Sequence, residues 1–239
     1  MKIFSRFLTL ALTILVASQV SAHKIAVKER AEFTKNEFVY DLNDQKSHKA
    51  GKGGKIYSVT EDEWPVLEGQ GVSMFRINLE PCGMNLLHQH PRPAEIAYLN
   101  KGSNVLVGFV EEDSGRMITN TMSEGQATLF PEALMHFQHN LGCEDAEFIA
   151  FFSSEDPGTV TIGAKSFKFP SKVVASSYGM SEEYVEKLRR GMPYDPVQAS
   201  DECIKKCQYG KPRYEKEKKY DMPKYRKEKK QEKQGYERS

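Results

Sequence analysis

The sequence predicts an all-β domain, a sandwich or a barrel, with a short helical extension behind it, and three features carry that expectation. From residue 72 the side chains alternate at period two: Ser73, Phe75, Ile77 and Leu79 form the more apolar parity, opposite Val72, Met74 and Arg76, as in a strand with one buried face. Short apolar segments then recur to residue 152, separated by Gly, Pro, Asp and Asn, the pattern of strands joined by turns. After Pro170 the apolar spacing becomes helical. A chain of 239 residues suffices for one substantial domain with tails or for two small ones, and a single set of motifs argues for one.

In chain order, residues 1–22 read as a secretory signal. Lys2 and Arg6 form the basic region, residues 7–16 the apolar run, and Val20-Ser21-Ala22 a cleavage site of small residues, which places the mature start near His23. No other stretch reaches the roughly 18–20 apolar residues that span a bilayer, so the expected product is soluble, extracellular and without a membrane span. Residues 23–55 are polar and broken at 43–48 and 51–54; they are expected as a mostly extended N-terminal arm.

The β-domain is expected over 56–170. Its first strands fall at 56–59 and 64–67, the latter confined by Pro65 to an edge or a strand start, and Trp64 reads as a core or interface aromatic. After the alternating run from residue 72, strands are expected at 86–90, 95–99, 104–110, 117–121, 127–130, 135–141 and 147–152, with 159–162 and 165–169 finishing the β-part. In the extension, 171–207, a helical turn over 171–178 ends at Gly179. A second helix follows, with Ser181 as N-cap, Glu182 and Glu183 at its positive end and Arg189 and Arg190 at its other end before Gly191.

Residues 208–239 contain no Leu, Ile, Val or Phe, so they cannot offset chain entropy by burial and are expected as a disordered tail. The tail carries +6 and residues 23–207 carry −7. Lys and Glu alternate there with Tyr209, Tyr214, Tyr220, Tyr225 and Tyr236. Such a segment is either simply solvated or a basic, aromatic-rich sticker for acidic extracellular matrix polymers; export argues against nucleic acid.

Four candidate metal ligands arrive in two pieces. On one strand His88 and His90 face the same side, Pro91-Arg92-Pro93 turns the chain, and Glu95 opens the next strand. His136 comes from a strand distant in sequence, while His139 has the opposite parity and is not expected as a ligand. Three imidazoles and one carboxylate suit manganese or iron and leave room for water or substrate.

At these residues the chain resembles the two cupin motifs in their germin-like form. His88, His90, Glu95 and Gly102 keep the spacing of the first motif, with Cys82 at its first Gly position. Gly125, Pro131, His136 and Asn140 match the second, with Ala133 in place of the usual Gly. The resemblance runs from about residue 72 to 192, and a spherulin-like, non-plant member fits because no Cys precedes Cys82. It implies a jelly-roll β-barrel, which the strand spacing alone did not distinguish, and a homo-oligomer such as a hexamer, clasped by the helical pair. For activity it implies a manganese-dependent oxalate oxidase or superoxide dismutase. The alternative is a non-enzymatic, metal-stabilised storage or matrix protein. Asn85 matches a germin residue of the oxalate pocket; Asn140 shares the parity of His136 and is a candidate either for the same cavity or for a strand cap. Leu86 and Leu87 stand where plant germins commonly carry Pro-Pro.

Cys82, Cys143, Cys203 and Cys207 in an exported chain favour disulfides, and composition leaves three pairings open. Cys203-x-x-x-Cys207 lacks the second ligand pair of a zinc site. Register supplies a preference: if the strands of His88/His90 and His136 are antiparallel neighbours, paired residue numbers sum to about 224–226, and those of Cys82 and Cys143 sum to 225. Cys82–Cys143 and Cys203–Cys207 are then expected, although Cys82 and Cys143 differ in parity and a bulge or strand end must re-aim one of them.

Overall fold

A computed structural model describes residues 32–44 and 49–209. Two six-stranded antiparallel sheets face each other. The first runs β1 (Lys49–Gly51), β2 (Gly54–Val59), β3 (Ser73–Leu79), β10 (Ala146–Phe152), β5 (Glu95–Lys101), β8 (Ala127–Phe130). The second runs β11 (Val160–Thr161), β4 (Gly83–Gln89), β9 (His136–Asn140), β6 (Ser103–Val110), β7 (Met117–Ser123), with β12 (Val197–Ala199) also on β4. The all-β jelly roll expected from the resemblance is therefore present, and the parity read from the sequence is the one buried: Ser73, Phe75, Ile77 and Leu79 all face inward. Between the sheets Phe75, Ile77 and Leu79 meet Ala97, Leu99, Val105, Val107, Phe130 and Phe148.

Turn chemistry sets the strand ends. Gly102 joins β5 to β6 at φ 109°, where a Cβ would lie 2.9 Å from that of Ala146, so the position needs glycine on both counts. Cys82 and Ala133, which stand where the resembled motifs carry Gly, also have positive φ, 63° and 59°. Both positions therefore hold a left-handed turn, the conformation that glycine adopts most readily.

Two expected strands are absent. Residues 64–67 form a 3-10 turn, Pro65–Leu67, because Pro fits the first helical position and the Trp64 and Pro65 carbonyls accept from Leu67 and Glu68. Trp64 instead ties down the arm: its indole donates to the Glu37 carbonyl at 2.7 Å and packs on Tyr40. Residues 165–169 are not extended either; helix α1 (Ile162–Ser166) begins directly after β11. The Phe167 and Phe169 carbonyls, which a sheet would have used, accept instead from the Arg189 guanidinium.

The helical pair is as the sequence indicates. Helix α2 (Ser171–Tyr178) stops at left-handed Gly179, and in α3 (Glu182–Gly191) the Ser181 hydroxyl accepts from the Tyr184 amide. The two helices share a small core of Phe167, Val174, Ala175 and Val185. Two later elements escaped the sequence reading, β12 and α4 (Asp201–Tyr209). The expected signal segment and all but the first two residues of the tail lie outside the described residues, and among those described no helix is long and apolar enough to cross a membrane.

The disulfides differ from expectation. Strands β4 and β9 are antiparallel neighbours with His88 opposite His136, a sum of 224, and the Cys82 amide reaches the Gly142 carbonyl, so the register argument placed the strand ends correctly. Yet Cys82 bonds Cys203 and Cys143 bonds Cys207, with Cα separations of 5.6 and 5.4 Å. Helix α4 lies across both strand ends and presents Cys203 and Cys207 one turn apart. Cβ atoms four residues apart on a helix are about 5–6 Å distant, beyond the roughly 3.5–4.5 Å that a disulfide spans, so these two cannot bond each other.

Candidate metal centre

Antiparallel pairing and a single strand crossing bring the four expected ligands together. His88 lies on β4, His90 just beyond its end, Glu95 opens β5 in the opposite sheet, and His136 opens β9. All four are buried, at 3, 3, 1 and 2% exposure, and their ligating atoms lie within 4.8 Å of one another. The register shift between Asn85 and His88 on β4 offsets the ladder at the point where the ligands converge.

Hydrogen bonds fix which ring nitrogen faces the centre. The Nδ1 atoms of His88, His90 and His136 sit against the carbonyls of Leu86, Gly158 and Leu134 at 2.7, 2.5 and 2.8 Å. A carbonyl only accepts, so each Nδ1 carries the proton and each Nε2 presents a lone pair inward. The Nε2 atoms of His136 and His90 stand 3.1 and 3.3 Å from Glu95 Oε2.

Burial pushes the His88 imidazole well below its ordinary value, and His136 and His90 push it the same way. Burial alone would raise the Glu95 carboxyl; when His136 and His90 carry a proton on Nε2 as well, their hydrogen bonds and charge outweigh burial and hold it below the ordinary carboxylate range, and a bound cation would take the place of those protons. The centre is thus a buried cage of three lone pairs and one carboxylate. Such a set is mutually repulsive without a cation and complementary to one, and it fits a divalent first-row metal with N and O preference.

The neighbours orient this cage. Phe130 stacks on His136 with ring centroids 4.3 Å apart, and Phe152 packs edge-on to His90 at 4.7 Å. Gln138, fully buried on β9, directs Nε2 at Glu95 Oε1 (3.3 Å) and accepts from Asn85 Nδ2 at 2.8 Å. The sequence reading passed over Gln138, though its shared parity with His136 was the available signal. Asn85 lines the cavity beside His88 and His90. Asn140 is not in that cavity. Its amide lies on the carbonyls of Leu79, Glu80 and Glu144 and its oxygen accepts from the Gly142 amide, so of its two expected roles it takes the strand cap.

A family model described as Cupin matches residues 40–186. The chain is a cupin. Over 176 residues this cupin is 36% identical to Spherulin-1A of Physarum polycephalum, covering 73% of this chain and 71% of the relative. It is 33% identical to a putative germin-like protein 3-2 of Oryza sativa subsp. japonica over 174 residues, covering 71 and 78%. Among solved structures it is similar to an oxalate oxidase in complex with the substrate analogue glycolate, with a TM-score of 0.63 and 27% identity over 67% of this chain and 83% of that one.

Proposed function

We propose that this cupin is a secreted manganese protein, with iron the other metal its ligands suit, and that it acts as an oxidoreductase on a small oxyanion, oxalate, or on superoxide. The observation that carries the reading is the convergence of three inward Nε2 lone pairs and the Glu95 carboxylate beside a cavity that Asn85 also lines. A bound redox metal would polarise an oxyanion or exchange an electron with dioxygen chemistry.

The chain's own residues do the rest. Asn85 commits one amide hydrogen to Gln138, and its Nδ2 also stands 3.4 Å from His88 Nε2; once a metal takes that lone pair, the second hydrogen is left for a ligand oxygen, while Gln138 holds Glu95 Oε1, leaving Oε2 on the histidine side. Phe130 and Phe152 keep water from the far side of the imidazoles. Similarity to a glycolate-bound oxalate oxidase makes a carboxylate the first substrate class to test, and two disulfides accord with an oxidising compartment.

The second reading, a metal-stabilised storage or matrix protein, is favoured by the similarity to Spherulin-1A and by the +6 tail. Both readings include a homo-oligomer, supported by the outer side of the helical pair, where Val173, Tyr178 and Tyr184 are about half exposed. One preparation tests the choice: metal analysis, peroxide release with oxalate and a superoxide assay on the same sample, with light scattering for assembly. Full manganese occupancy with neither activity favours the storage reading, and absence of manganese removes the metal assignment from both.

A further inference from the structure

The cavity beside the candidate metal centre, open to solvent on one side, has a volume of about 180 Å³ and two unlike walls. One is polar: β4 and β11 supply His88, His90, Asn85 and Thr161, the last directly opposite His88 in the ladder. The other is hydrocarbon: β2 and β3 supply Ile56, Phe75 and Ile77, exposed by 6, 6 and 2%, with Ile56 and Ile77 paired across the sheet. The apolar surface reaches the ligands themselves, for the Phe75 ring lies 6.0 Å from His90 and 4.6 Å from Phe152. Lys49 and Lys165 are exposed lining residues, and among the described residues no Asp or Glu lines the cavity.

Resting on the metal reading above but replacing oxalate as its preferred ligand, we propose that the site selects a small amphipathic monocarboxylate, with its carboxylate at the histidine and Asn85 wall and a short hydrocarbon body against Ile56, Phe75 and Ile77. Phe75 is the specificity-determining residue. A dianion polar at both ends gains less there: against Ile56, Phe75 and Ile77 its second carboxylate meets no hydrogen-bond donor, an unpaired buried charge being far costlier than a buried alkyl group, and pairing it with Lys49, Lys165, Thr159 or Tyr194, which also line the cavity, means turning it off the apolar wall. A hydrocarbon body gains affinity there instead, at about fourfold per carbon if each methylene is fully buried. The volume is roughly that of six water molecules in the liquid, which limits the body to a few carbons. Lys49 and Lys165 raise the local concentration of anions without specifying the body.

The test is calorimetric titration of the manganese-loaded full chain with glycolate, lactate, 2-hydroxybutyrate and 2-hydroxyisovalerate, which keep one head and lengthen the body, and with oxalate. Affinity is expected to rise at least tenfold from glycolate to 2-hydroxyisovalerate and to exceed that for oxalate. In Phe75→Asn the gradient should shrink to less than threefold. The wild-type series stands even if that variant fails to fold, in which case Phe75→Leu, which keeps the apolar wall, should retain the gradient. A flat series or an oxalate preference, with manganese measured at one per chain, overturns this proposal alone; a chain that takes up no manganese overturns the metal reading with it.

Discussion

Gln138 holds the inner carboxylate of the cage: its Nε2 lies 3.3 Å from Glu95 Oε1, while the other carboxylate oxygen faces His136 and His90. Partners of this kind orient a ligand and typically govern metal affinity by 10- to 100-fold. Gln138→Leu keeps the volume and removes the amide. It should therefore weaken manganese binding by about that factor, measured by competition with a chelating dye, and an unchanged affinity would remove Gln138 from the site.

His136→Ala deletes the ligand that joins the two motifs. It should lose manganese altogether and, with it, the rise in melting temperature that saturating metal gives the wild type, about 2.7 kcal/mol of stabilisation at a hundredfold excess over Kd. Full occupancy in elemental analysis of the variant would show that the cage is not the metal site.

Asn140→Ala separates a strand cap from a substrate contact. Its amide lies on three carbonyls and its oxygen accepts one amide hydrogen, all at the β3, β9 and β10 ends. Removing it leaves several buried polar groups unpaired, a loss of about 2–4 kcal/mol, with manganese content preserved. A stable variant with altered ligand binding would return Asn140 to the cavity.

Ala133→Gly should stabilise the protein. Ala133 is held at φ 59° in the turn before β9, with its amide on the His90 carbonyl. Left-handed backbone costs a residue with a Cβ about 1–2 kcal/mol, and the extra freedom of glycine in the unfolded chain returns part of that gain. A net gain of about 0.5–1 kcal/mol in urea melts is expected; a loss would mean that the methyl group packs usefully enough to outweigh the strain.

These sites also show what could be read from the chain in advance. His88, His90, Glu95 and His136 were legible because strand periodicity fixes which side chains share a face, and the same periodicity gave the buried parity of β3. Residues 64–67 and 165–169 were misread because a short apolar segment does not distinguish a strand from a helical turn; Pro65 and Arg189 decided the matter through hydrogen bonds invisible in the pattern. Gln138 matched the ligand parity but has no metal-ligand chemistry of its own, so only its distance to Glu95 reveals it. The disulfides were missed for a related reason. Register located Cys82 and Cys143 correctly, but the bonding partner is set by α4, which no strand argument places.

That helix creates an exchange-ready cluster, because Cys82 Sγ lies 3.6 Å from Cys207 Sγ although each is bonded elsewhere. Peptide mapping of the wild type should find Cys82–Cys203 and Cys143–Cys207. In Cys203→Ser the freed Cys82 thiolate already adjoins a disulfide sulfur, and exchange needs only that contact and ionisation. Cys82 Sγ attacks Cys207 Sγ, the Cys143–Cys207 bond breaks, and Cys143 leaves as the thiolate. Non-reducing mapping of this variant at mildly alkaline pH should therefore show a Cys82–Cys207 bond and alkylatable Cys143, increasing with time. A variant that keeps Cys143–Cys207 intact and Cys82 alkylatable throughout would show that the two sulfurs, though close, do not reach the alignment that exchange requires.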